Sequence, residues 1–140
     1  MTINVLDASN YFKGLLLLIR KDRKVTPAEI EAMKRIGKTL GFERKFCENA
    51  IAEILENAFI VDEPPHFPNK ELAYKFIRDG LFLAFIDHRD IDPHEERWLR
   101  LTVEKNDIQS DFFIRELEVA KANRGDRTRL EVDDLTVEHS

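Results

Sequence analysis

Between positions 87 and 96 the chain reads DHRDIDPHEE, which gathers Asp87, His88, Asp90, Asp92, His94, Glu95 and Glu96, its densest group of potential ligands. Carboxylate oxygens suit Mg²⁺, Ca²⁺ or Mn²⁺, and an imidazole would turn the preference toward Zn²⁺ or Fe²⁺. A metal with an open coordination position could activate water, so a metal-dependent hydrolase built on the Asp87–Glu96 cluster is one reading. The other is structural. Asp92-Pro93-His94-Glu95 has the form of a helix cap, a first-turn proline and a capping-box acid, and acids at a helix start favour its positive dipole end. Neither an EF-hand nor a di-iron motif fits: Ala84 would fall at the first EF-hand ligand, and the prolines of Glu63-Pro64-Pro65-His66 preclude a helix interior. No Ser or Cys has a convincing base beside it, and Cys47 reads as a small buried hydrophobe.

The same phrase occurs earlier. GLLLLIRKDRKVTPAEIEAM, from Gly14, aligns without a gap on GLFLAFIDHRDIDPHEERWL, from Gly80, at an offset of 66. The alignment keeps Gly14/Gly80, Leu15/Leu81, Leu17/Leu83, Arg23/Arg89, Pro27/Pro93 and Glu29/Glu95, and extends to Phe42/Ile108, Phe46/Phe112 and Ile51/Leu117. Thr26-Pro27-Ala28-Glu29 is the first copy's capping box. Recurring punctuation of this kind marks an internal repeat.

Six helices must position these turns. The first starts near Asp7 or Ser9 and runs to about Arg20, with Tyr11, Leu15, Leu18 and Ile19 apolar at helical spacing. The second begins at Pro27, carries Ile30, Met33, Ile36, Gly37 and Leu40, and stops at Gly41. A third, from about Glu43 to Phe59, buries Phe46, Ala50, Ile51, Ile54 and Leu55. The three prolines of VDEPPHFPN make an extended connector. Asn69 then caps a helix bearing Leu72, Phe76, Leu83 and Ile86; the fifth runs to about Lys105, burying Trp98, Leu99, Thr102 and Val103; Ser110 caps the sixth, with Phe113, Ile114, Leu117 and Ala120 inward. Trp98 and Phe76, Phe82, Phe85, Phe112 and Phe113 supply core, or in part a partner groove or dimer seam. The expected fold is all-α, a helical bundle of two similar three-helix halves at about 8–59 and 70–124, within one domain spanning 1–125. Residues 126–140 form an acidic C-terminal tail, either frayed or docked as a short segment.

The whole chain narrows the function classes. Its 140 residues carry a net charge of −5 with cations and acids interleaved, so free nucleic acid is not an expected partner. A single cysteine excludes an internal disulfide, and no leader or spanning segment is read, which points to a cytoplasmic location. Lys21, Arg23 and Lys24 could touch an anionic membrane surface, although three cations in one turn also describe a solvated corner.

KDRKVTPAE and DHRDIDPHEE resemble the helix, acidic turn, capped helix phrase of the TerB-like family associated with tellurite resistance. Asp22 with Val25 and Glu29 matches the motif in the first copy and Ile91 with Glu95 in the second, while Arg23 and Arg89 replace its glycine and His88 takes the register of its aspartate. The resemblance covers about Tyr11 to Gly125. It implies an all-α bundle serving as a non-enzymatic interaction module of stress-response assemblies, sometimes near membranes; beside it, the charged turns suggest a protein partner and the aromatic pairs leave a homo-oligomer open. It also implies a divalent metal ion at the acidic turns, for which the candidate ligands are Asp22, Glu29, Asp87, His88, Asp92 and Glu95.

Overall fold

A computed structural model describes residues 1–21, 25–57, 59–87, 90–123 and 129–139. Among the described residues six α-helices predominate: α1 (Val5–Arg20), α2 (Pro27–Thr39), α3 (Arg44–Glu56), α4 (Lys70–Ala84), α5 (Pro93–Lys105) and α6 (Ser110–Asn123). Two three-residue strands, β1 (Thr2–Asn4) and β2 (Thr136–Glu138), pair in parallel with Ile3 opposite Val137, joining the two ends of the chain. The protein is thus mostly helical, as expected. No helix of the described residues is long and apolar enough to cross a membrane.

Local chemistry sets the helix starts. Asn4, rather than Asp7 or Ser9, caps α1 by accepting from the Asp7 amide, so the helix begins earlier than its apolar period indicates. Thr26 makes the full capping box with Glu29, and Asn69 and Asp92 accept from the Glu71 and His94 amides. At the other ends, Gly41 (φ 83°) and Asp107 (φ 55°) take left-handed backbone. Each lets the next amide reach back, Phe42 to the Gly37 carbonyl and Ile108 to the Val103 carbonyl, both at 3.0 Å, which closes the helices with six-residue Schellman bonds. The third helix stops at Glu56 rather than Phe59, because Asn57 turns extended and its side chain accepts from the Phe59 amide.

Helix α1 is the axis of the molecule. It packs on α2, α3, α4 and α5, and its residues are apolar nearly all round, with Tyr11, Phe12, Leu15, Leu16, Leu18 and Ile19 fully buried. Helices α2 and α3 also pack on each other, as do α4, α5 and α6. Phe46 and Ile114, expected inside, are instead exposed on their helices. α3 seats Cys47, Ala50, Ile51 and Ile54 inward, and α6 seats Phe112, Phe113 and Leu117, so each of the two misplaced side chains rotates to the rim.

The C-terminal segment docks. Leu130, Val132 and Leu135 are buried, and a 3-10 turn at Glu131–Asp134 lies on α4. Its anchor is Asp79, fully buried: Oδ1 accepts from the Glu131 amide at 2.8 Å, and Oδ2 from the Val132 amide at 3.0 Å and the Tyr11 hydroxyl at 2.6 Å. Burial pushes this carboxyl up to about 6, against the pull of its three donors toward the ionised form. Lys75 and Arg78 add ion pairs to Glu131, and Arg35 to Asp133.

Candidate functional site

Both capped turns come to the same end of the bundle. The Thr26 hydroxyl donates to Asp87 Oδ2 at 2.9 Å across 61 residues of chain, while accepting from the Glu29 amide at 3.2 Å. Glu29 Oε1 in turn accepts from the Thr26 amide at 2.9 Å. One hydroxyl therefore closes the helix cap of one turn and ties it to the acid of the other.

Around this junction lies a hollow of about 270 Å³ whose wall includes Glu29, Asp87, Asp90, Asp92 and Glu95, beside Leu83, Ile91 and Pro93. Glu29 and Glu95 are each only 2% exposed. They occupy the same third position of α2 and α5, where the helix dipole and first-turn amides lower the cost of burying an anion. Asp92 Oδ1 accepts from the His94 amide at 2.8 Å, so it is both helix cap and wall.

Of the six residues singled out in the sequence, four, Glu29, Asp87, Asp92 and Glu95, line this hollow, and Asp22 and His88 lie outside the described residues. Asp90 joins them. His94 does not: its side chain is mostly exposed and its ring approaches Asp92 Oδ1 at 3.2 Å. Among the described residues the donors of the wall are carboxylate oxygens, which suit a hard divalent cation. Among the described residues, however, no three His, Cys, Asp or Glu side chains are grouped so as to hold one ion. Glu29 and Asp92 spend oxygens on their caps, so the described carboxylates alone do not make a complete metal centre.

Cys47 is buried beside Gly37, and burial raises its thiol above the usual range, opposite to what a nucleophile needs. Two buried polar centres were not anticipated. Asp79 falls in register with Leu72, Phe76 and Leu83 on the inward stripe of α4, and a carboxylate on such a stripe is the signal that marks it. Asn106, 5% exposed, accepts from the Phe67 amide at 2.8 Å and donates to the Pro65 and Thr102 carbonyls, pinning the proline-rich connector.

Comparison with protein-family models, with curated proteins and with solved structures finds no match to this chain.

Proposed function

We propose that the chain is a non-enzymatic helical interaction module of the tellurite-resistance, stress-response type, in which two similar three-helix halves bring their acidic turns together as one cation-responsive surface for a protein partner. The repeat supports the architectural part. At the offset of 66, both second helices start on proline behind a cap (Thr26, Asp92), bury a glutamate at the third position (Glu29, Glu95) and end on a left-handed residue (Gly41, Asp107). Within each set, α1–α3 and α4–α6, every helix packs on the other two. The glycines are reciprocal: a Cβ on Gly14 would meet the Phe76 ring of α4 at 2.9 Å, and one on Gly80 would meet Leu18 of α1 at 3.1 Å.

The functional part rests on the bond from Thr26 to Asp87 and the acidic hollow around it. Carboxylates from both turns are brought to one wall, where a divalent cation would draw them together and stiffen the surface that a partner reads. Titration of the full chain with Mg²⁺, Ca²⁺ and Mn²⁺, followed through backbone amide shifts, tests it. Saturable shifts confined to residues 26–29 and 87–95, reduced in Glu29→Gln and Glu95→Gln, are expected. Silence of both turns at millimolar ion overturns the cation clause.

A further inference from the structure

Toward the other end of α4 from the acidic hollow lies a groove of contrary charge. Helices α4 and α6 run side by side in the same direction, since Tyr74 meets Phe112 and, one turn on, Arg78 meets Glu116. Their N-terminal ends therefore open at the same place, Lys70 being the first residue of α4 and Gln109 the residue just before α6. Between them is a groove of about 340 Å³ lined by Lys70, Tyr74, Arg78, Gln109, Phe112 and Arg115, with no carboxylate among the described residues of its lining. That is unusual in a chain whose 27 acids outnumber its 22 Lys and Arg.

The cations divide into two kinds. Arg78 is fixed, bonded to Glu116 at 3.1 Å, near Glu131 at 3.6 Å and lying 5.2 Å over the Phe112 ring. Lys70 and Arg115 are exposed and make no ion pair among the described residues, whereas Arg35, Arg44, Lys75 and Arg100 all do. Bringing unpaired like charges to one groove is unfavourable until an anion arrives. The floor is aromatic: Tyr74 and Phe112 pack edge to face at 4.7 Å, and Phe112 is only 8% exposed. With Phe112 covered by Arg78, the half-buried Tyr74 is the aromatic ring left to meet a flat ligand, and the volume falls at the small end of ligand sites, about 300–1,000 Å³.

We propose that this groove binds a small phosphorylated ligand with a planar ring, of the mononucleotide class, its phosphate held by Lys70 and Arg115 and its ring laid against Tyr74. Gln109 offers both a donor and an acceptor to the ring edge. The probes are AMP, adenosine and inorganic phosphate, each titrated into the full chain and followed by amide shifts. AMP is expected to move residues 70–78 and 109–115 and to bind at least about tenfold more tightly than adenosine or phosphate alone, the difference one charge-assisted hydrogen bond makes. The Lys70→Ala, Arg115→Ala double variant alters only exposed, unpaired side chains and should keep the circular dichroism spectrum while losing a further tenfold or more. The assignment is overturned if AMP binds no better than phosphate, if the double variant binds AMP unchanged, or if the shifts fall elsewhere. Tighter binding of a phosphopeptide or an oligonucleotide than of AMP overturns it too, by making the occupant a macromolecule.

Discussion

Asp79 gives the strongest quantitative test of how the C-terminal segment is held. Its carboxyl is fully buried, and its pKa rises from 3.8 to about 6 on folding. Because the folded-state value lies above the unfolded one, the folded chain binds this proton more tightly. The resulting stability is fully present below pH 3.8 and is lost as pH rises through about 6. The difference between those two values, at 1.36 kcal/mol per unit, amounts to about 3 kcal/mol. Other carboxylates titrate over part of the same window and would obscure the effect in the wild type alone. In the difference between wild type and Asp79→Asn they cancel. The substituted amide keeps shape and neutrality and its one oxygen still accepts, but its NH2 faces one or two of the existing donors, the Tyr11 hydroxyl and the Glu131 and Val132 amides, so a cost of about 1–3 kcal/mol is expected at low pH. Urea denaturation followed by the fluorescence of Trp98, the single tryptophan, would measure both proteins across the window. The wild type's advantage should shrink by about 3 kcal/mol and reverse or vanish above pH 6. A difference that stays constant, or that moves in favour of the wild type as pH rises, would refute the reasoning, because the three donors would then outweigh burial.

Three further outcomes follow from the packing. Thr26→Ala removes both the α2 cap and the bond to Asp87, and should lower unfolding free energy by about 1–2 kcal/mol in chemical denaturation, with amide shifts appearing at Asp87 as well as in α2. Gly14→Ala should cost more than Gly80→Ala within the usual range of about 1–3 kcal/mol for overpacking, because the first pushes a Phe76 ring and Pro65 while the second meets the mobile ends of Leu18 and Leu99. Asp107→Gly should stabilise the chain by about 0.5–1 kcal/mol, read as a rise in Tm, since it removes a Cβ from left-handed backbone where the equivalent helix end already has Gly41.

Much of this fold is local, and the local parts were legible. Thr26-Pro27-Ala28-Glu29 and Asp92-Pro93 locate the starts of α2 and α5 because caps and first-turn prolines act within four residues. Side-chain orientation was less secure. Phe46 and Cys47 both extend an apolar row into Ala50, Ile51 and Ile54, and periodicity alone does not choose between faces a hundred degrees apart; contact with α1 and α2 settles it for Cys47. The strands were not legible, since three residues at each end pair only after the whole bundle has brought positions 2 and 136 together. The same distinction governs the candidate site. Glu29 and Glu95 could be read as capping-box acids, but the bond between Thr26 and Asp87 depends on how α1 crosses α4, which no short stretch of sequence contains.

The most direct test of the shared acidic surface is a crystal of the full chain grown with Mn²⁺ and measured for anomalous scattering. The account predicts a peak in the hollow bounded by Glu29, Asp87, Asp92 and Glu95. A map with manganese bound elsewhere, and none between the two turns, would contradict it.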